Sequence, residues 1–431
     1  MLKTITTAVV IAFAGAAQAQ LTDTEQRIVA AVKERSPAAL GLLEKSVRIN
    51  SGTLNPEGVR AVGEIYRAEF ESLGFKTRWI DMPPQMKRAG HLAAVHEGTS
   101  GKRILLLGHM DTVFEKGSSV PLWERRGDKV RGQGVNDMKG GDVIMIEALR
   151  ALQSAGVLED ARVEVLLTGD EERSGSPKEV ARGDMIAAAK RADVALSFEG
   201  SGRQNGDTIA VIARRSSGSW SLVVHGKPAH SMLLFQPNIG YGAIYEGARI
   251  LDAFRQQVME PGLTFNVGNV VGGTDIKWSS DTASATAFGK SNVVAKSFRA
   301  DGDLRALSSE QEERARQHMR DIVTKNNLNG TDATIEFHDG YPAMAATPQR
   351  LQLLETYSRA SQDAGLGVVR ADDPATRGAG DIQYTAPYVI GMDGLGAYGG
   401  GMHTDDEDLE VASIERSAIR AALLIYRLTR R

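Results

Sequence analysis

The chain opens with two stretches whose apolar residues recur at helical spacing, about 23–46 and 57–73, the second closed by Leu73-Gly74. A strand is predicted over Lys76–Ile80, and Arg103-Ile-Leu-Leu-Leu107 reads as a strand buried on both faces because the run is wholly apolar. A helix over Met138–Ala155 is closed by Gly156. Strands over Arg162–Thr168 and Asp193–Ser197 flank a helical stretch at 177–191. Strands alternating with helices predict an α/β layer with a sheet between helices. The pattern changes near Arg214. From there it predicts strand 219–225, helix 238–258, strand 263–271, strand 292–305, helix 309–326 and strand 332–338. That β-α-β-β-α-β order is the ferredoxin-like arrangement, α+β in class, with 272–291 as an elaboration between its middle strands. The α/β pattern then resumes with helix 349–364, a Gly-rich stretch at 378–401 and helix 412–429. The expected organisation is a larger domain in two parts, 20–213 and 341–431, with a smaller one, 214–340, inserted between them.

Residues 1–19 stand apart from this layout. Lys3, the short apolar run Ile5–Gly15 and Ala17-Gln18-Ala19 have the form of a cleavable secretory signal, so the mature chain is expected to begin near Gln20. This predicts a periplasmic or secreted protein. No later apolar run is long enough to span a bilayer, so no membrane is expected in the mature form. The 431 residues carry 51 Lys+Arg against 54 Asp+Glu, and this near-balance gives no reason to expect nucleic acid. There is no Cys, which removes thiol catalysis, disulfides and thiolate metal sites. Any metal must be held by His and carboxylate.

Candidate chemistry falls where the predicted strands end. The first buried strand runs into Gly108-His109-Met110-Asp111, and the strand 162–168 into Gly169-Asp170-Glu171-Glu172. The strand 193–197 runs into Phe198-Glu199-Gly200. A Gly-rich loop, Gly132–Gly141, sets Asp137 just before a helix, and Gly399-Gly-Gly-Met-His403-Thr404-Asp405 exposes a second His. Taken singly each piece has an ordinary reading, Asp137 as a helix cap or Glu171-Glu172 as a solvated turn. Taken together they all lie where open α/β sheets bind ligands. Two His and three carboxylates without Cys suit two divalent ions sharing a bridging carboxylate. The Glu-Glu pair allows one side chain to ligate while its neighbour serves as a base.

The segments H-M-D, G-x-G-x-x-D-x-K-G-G, G-D-E-E, S-F-E-G and G-x-H resemble those of the co-catalytic di-zinc peptidase family. That family includes glutamate carboxypeptidases, aminoacylases and succinyl-diaminopimelate desuccinylases. The resemblance spans essentially the whole mature chain and is greatest to exported bacterial glutamate carboxypeptidases. It implies two Zn2+ per subunit, with Mn2+ or Co2+ as alternatives. His109, Asp137, Glu172, Glu199 and His403 become the metal ligands, with Asp137 bridging. Asp111 becomes the acid that orients His109, and Glu171 the general base. The inserted domain becomes a lid and dimerisation domain, and the partner a second copy of the chain. Within it, His225-Gly-Lys-Pro-Ala-His230-Ser matches a family segment whose last His stabilises the oxyanion, which assigns His230. Asn292 and Arg305 match substrate-binding positions, Arg305 as a bidentate clamp for a carboxylate.

The sequence also departs from the family. The cations of the glutamate carboxypeptidase pattern, a Lys shortly after S-F-E and an Arg-Gly-Arg before a Pro late in the small domain, are missing or moved here, where the corresponding stretches are Arg203-Gln-Asn-Gly-Asp207 and Asp339-Gly340-Tyr341-Pro342. Arg214-Arg215 supplies positive charge nearby, more like the desuccinylase's basic pair. The expected function is a zinc carboxypeptidase acting on a small peptide or N-acyl amino acid. The alternatives are an N-acyl amino acid deacylase or dipeptidase of the same family and, from another class, a binding protein that needs no Glu171.

Overall fold

The computed structural model describes residues 21–279 and 282–430. The proposed signal, residues 1–19, lies outside the described residues. Among the described residues no helix is long and apolar enough to cross a membrane.

The larger body is built on a six-stranded sheet ordered Lys76–Ile80, His91–His96, Ala161–Thr168, Ser100–His109, Val194–Ser197, Ile390–Met392. The last four strands are mutually parallel, whereas His91–His96 runs antiparallel to both its neighbours. In the central strand Ile104 and Leu106 face one core, and Leu105 and Leu107 face a second core on the other side. This is the two-sided burial that an uninterrupted apolar run demands. The first core is closed by helices Asp23–Val47, Gly140–Ser154 and Val411–Thr429. Helix Gly140–Ser154 is buried all round from Gly140 to Leu149, so it is the innermost of the three.

The smaller sheet is antiparallel and ordered Thr264–Gly273, Ser297–Arg305, Ser217–Gly226, Thr331–Tyr341, with helices Ala243–Gln257 and Ser309–Thr324 against it. Its chain order is β-α-β-β-α-β. It has its own core, in which Trp220, Leu222 and Val224 alternate inward to meet Phe254, Phe298 and Met319. The Trp220 and Phe254 rings meet edge-on at 5.8 Å.

Several elements differ from expectation for local reasons. The strand His91–His96 (His-Leu-Ala-Ala-Val-His) is short and Ala-rich, with weak intrinsic strand preference, and exists because it pairs on both edges. The helix expected at 177–191 is two pieces, Lys178–Ala181 and Gly183–Ala189, parted at Arg182. The strand expected from 292 begins at Ser297, and the elaboration at 272–291 contains a hairpin, Asp275–Ser279 with Ser284–Phe288.

The break at Arg182 has an electrostatic cause. The side chain is fully buried. Its Nη1 donates to Asp170 Oδ1 at 2.6 Å and its Nε to Asp381 Oδ1 at 2.7 Å, while Nη2 donates to the Asp170 carbonyl and the Ser174 hydroxyl. Thr168 Oγ1 donates to the other Asp381 oxygen at 2.9 Å. One guanidinium thereby joins the end of strand Ala161–Thr168, the loop after it and the late Gly-rich segment. Arg182→Met would leave two buried carboxylates without their cation. The expected loss is about 3–5 kcal/mol of unfolding free energy, read from urea denaturation. A loss under about 1 kcal/mol, the range of an exposed ion pair, would contradict this account.

Candidate active site

The ends of three adjacent parallel strands deliver the first residues. His109 terminates strand Ser100–His109 and is buried. Its Nδ1 donates to the Asp111 carbonyl at 3.0 Å, which turns Nε2 toward Asp137 Oδ1 at 3.1 Å and Glu199 Oε1 at 3.3 Å. Burial opposes charge on this imidazole, yet Glu199, Asp111 and Asp137 together hold its pKa well above the usual value. Glu199 follows strand Val194–Ser197, the neighbour of the His109 strand.

Asp111 is fully buried and organises the next loop. Its Oδ1 accepts the Glu171 N–H at 3.0 Å, and its Oδ2 accepts the Glu172 N–H at 3.2 Å and the Thr53 hydroxyl at 2.6 Å. Despite desolvation, the His109 imidazole and these hydrogen bonds keep the carboxyl below its ordinary pKa. One carboxylate thus fixes the backbone of both glutamates in the Glu-Glu pair.

Asp137 comes from a turn of wide helical pitch, Val135–Lys139, entered through Gly134 at φ +76°. Its two oxygens face two imidazoles: Oδ1 lies 3.1 Å from His109 Nε2, and Oδ2 lies 3.1 Å from His403 Nε2. Burial pushes against ionisation here, but the two imidazoles hold the carboxylate far below its usual range. His403 sits in the left-handed region, φ +63°, on a loop where Thr404 N–H turns back to the Gly401 carbonyl. Its Nε2 also lies 3.1 Å from Glu172 Oε2. The Asp137 and Glu172 hydrogen bonds, only partly opposed by burial, push its pKa up to about 11.

Negative charge exceeds what these imidazoles balance. Desolvation and Asp137 push Glu199 up to about 7, with His109 pulling the other way. Desolvation and the Asp381 carboxylate push Glu171 well above the carboxylate range, and desolvation also raises Glu172. Among the described residues, His109, Asp137 and Glu172 offer ligand atoms all within 4.8 Å of one another. Glu199 and His403 extend the group on either side of Asp137. Two imidazole nitrogens and several crowded carboxylates have the chemistry to hold divalent cations, with Asp137 placed to touch two of them. Additional positive charge would relieve the repulsion that raises the glutamates.

A cleft of about 520 Å3 opens on this cluster, lined by Asp137, Glu171, Glu199 and His403 and also by Arg203, Arg214 and Arg377. Arg214 is buried, with Nη2 on Asp393 Oδ2 at 2.5 Å, Nη1 on the Gly378 carbonyl at 2.6 Å and Nε without a partner. Arg377 leans on Asp372, and Arg203 pairs with Glu410 while stacking 4.1 Å over the Tyr398 ring. Arg215 turns away to Thr264. Arg377, and the wall it shares with Arg203, carried no motif. The sole signal was a cation immediately before the glycines at 378–380.

The structure places the other sequence-derived candidates elsewhere. His230 opens a short turn in the small domain, where its Nδ1 accepts the Met232 N–H at 3.2 Å. Asn292 adjoins it, its carbonyl accepting the Ser231 N–H at 2.9 Å, and both side chains are exposed. Arg305 pairs with Asp303 at 3.0 Å on the small sheet. None of the three lines the cleft in a single chain.

Comparisons with known proteins agree with the fold. The chain is 28% identical to carboxypeptidase G2 from Pseudomonas sp. (strain RS-16) over 96% of its own length and 94% of that protein's. It is 24% identical to succinyl-diaminopimelate desuccinylase from Verminephrobacter eiseniae (strain EF01-2), covering 85% of this chain and 90% of that one. Among solved structures, aminopeptidase PepT from Bacillus cereus superposes with a TM-score of 0.70 at 18% identity, covering 91% of this chain and 98% of that one. The sequence model of peptidase family M20/M25/M40 matches residues 105–427, and the chain belongs to that family.

Proposed function

We propose that this protein is an exported di-zinc carboxypeptidase that hydrolyses the amide bond before a free C-terminal amino acid, glutamate among the candidates. The observation that carries the reading is Asp137 held between His109 and His403, with Glu171 lining the same cleft on a backbone that Asp111 fixes. The residues that would hold the ions are His109, Asp137 and Glu199 for one, and Asp137, Glu172 and His403 for the other. Bound zinc supplies the Lewis acidity that makes water nucleophilic at neutral pH and polarises the scissile carbonyl.

The remaining chemistry belongs to the chain. Among the described residues Glu171 makes no ion pair, and it lines the cleft, so its carboxylate is free to take the proton of the attacking water and return it to the leaving amine nitrogen. Its raised pKa brings proton affinity closer to that role than an ordinary surface glutamate would have. The guanidinium groups of Arg214 and Arg377, each backed by an acid, offer the cleft hydrogen-bond donors for a substrate carboxylate. His230 and Asn292, exposed together on the small domain, are placed to act on a second copy's cleft in a homodimer, with His230 aiding the oxyanion and Asn292 and Arg305 holding substrate. Mn2+ or Co2+ fits the same donors as Zn2+. The 24% likeness to a desuccinylase and the Arg214-Arg215 pair favour one second reading, an N-acyl amino acid deacylase using the same residues.

Three outcomes are expected. Glu171→Gln should lower kcat by about 10²–10⁴-fold while the protein still takes up two metal equivalents; near-normal kcat would remove Glu171 from the reaction. A hydrolysis panel with one acyl group and C-terminal Glu, Asp, Ala, Leu or Lys should favour the acidic residues. Arg377→Met should raise KM for them selectively, and a flat panel cleaved only according to its acyl group would support the deacylase. Because the metal-free cluster pushes His109 well above its usual pKa, His403 up to about 11 and Glu199 up to about 7, and raises Glu172 as well, zinc uptake at pH 7 should release at least two protons per chain. Calorimetry in buffers of different ionisation enthalpy reads this number, and zero release would contradict imidazole ligation.

A further inference from the structure

Glu407 is buried within the peptide chain that carries Asp137, four residues after His403. Its Oε1 accepts the backbone N–H of Asn136 at 2.8 Å and of Asp137 at 3.0 Å, and its Oε2 accepts that of Gly134 at 3.4 Å. Gly134 at φ +76° curls the segment so that these donors converge, and a Cβ there would lie 2.4 Å from Thr112 Cγ2. Among the described residues no side-chain cation pairs with the carboxylate. Lys139 is buried and donates to the Ile49 carbonyl at 3.0 Å.

The His403 loop does not need this carboxylate for its attachment. Asp408–Glu410 already pairs as a strand with Lys129–Arg131. Arg131 grips the Asp405 carbonyl at 2.8 and 2.6 Å, and Lys129 meets Asp408 at 2.9 Å. A carboxylate is costly to bury, and this one is aimed at the backbone of Asp137, not at its own loop. His403 itself is more than half exposed, with Asp137 and Glu172 as its ion-pair contacts among the described residues. His109, by contrast, is set by a strand end and the Asp111 carbonyl.

From this asymmetry we infer that Glu407 is a positioning residue that locks the bridging Asp137 to the His403 loop, and so sets the affinity of the His403-side metal position selectively over that of the His109 side. The inference rests on the two-metal reading above. Loss of the carboxylate frees the spacing between Asp137 Oδ2 and His403 Nε2, while Asp137 Oδ1 keeps its partner on the strand.

The test is a cobalt(II) titration of the metal-free mature protein, followed by visible absorption and by chelator competition. Wild type should take two equivalents. Glu407→Ala should keep the first and weaken the second by about 10–100-fold, the range seen when groups behind metal ligands are removed. Glu407→Gln keeps one acceptor oxygen for Asn136 and Asp137 and should fall between the two; it carries the test if the Ala variant does not fold by circular dichroism. Arg131→Met loosens the loop without touching Asp137 and should leave both equivalents unchanged. The inference is overturned if Glu407→Ala keeps both equivalents or weakens both alike, or if Arg131→Met weakens the second as much. A wild type that binds fewer than two equivalents would instead overturn the two-metal reading, and this inference with it.

Discussion

The structure turns on one electrostatic problem, a set of carboxylates brought together at the carboxyl edge of the sheet with little water to solvate them. Asp111 and Asp137 are buried and ionised, and Glu171, Glu172 and Glu199 crowd against them. Burying charge without partners costs several kcal/mol per group, and several nearby donors are committed to the cluster. His109 and His403 face Asp137 from either side, Thr53 and two backbone N–H groups serve Asp111, and three more serve Glu407. The residual excess appears as the raised proton affinity of the three glutamates. A site so arranged is stabilised by cations and has its geometry set before they arrive.

That geometry is delivered by two kinds of support. His109, Glu171 with Glu172, and Glu199 follow three adjacent parallel strands, whose mutual hydrogen bonds fix their spacing. Asp137 and His403 come from loops and need other restraints. Helix Gly140–Ser154 approaches the sheet so closely that a Cβ at Gly141 would lie 1.9 Å from the Phe198 carbonyl, and this contact seats the Asp137 turn beside Glu199. The Arg182 guanidinium does comparable work behind Glu171 by tying Asp170 to Asp381. Rigidity is therefore greatest where the sheet supplies it and is built from buried ion pairs and hydrogen bonds where it does not.

Legibility in the sequence followed the range of the interactions. The apolar run 103–107 and the βαββαβ order of the small domain were readable because periodicity and local alternation encode them. So were the strand-end segments containing His109, Glu171-Glu172 and Glu199, because position in an α/β layer carries its own meaning. Strand His91–His96 was not, since its stability comes from two neighbours distant in sequence. Nor were Glu407 and Arg182: a buried Glu looks like any other in an acidic stretch such as Thr404-Asp-Asp-Glu-Asp408, and its partners lie some 270 residues away. Of the arginine wall, Arg214 was readable as nearby positive charge, whereas the meeting of residues 203, 214 and 377 escaped because it exists only in the folded chain.

That wall bears on how an anionic substrate could enter a cleft floored by carboxylates. Arg203, Arg214 and Arg377 are each backed by an acid, Glu410, Asp393 and Asp372, so their formal charges are largely balanced at short range. What they present to the cleft is directed hydrogen bonding more than net field. Attraction at longer range would then come from cations held by the His and carboxylate cluster, and the arginines would decide orientation once the substrate is inside. On this division the metal-free protein should discriminate poorly between acidic and neutral ligands, and discrimination should appear as the cluster fills. On the proposed reading the selectivity of the cleft is coupled to the occupancy of the cluster, because the same negative charge that would draw cations in would also keep acidic ligands out of the empty site.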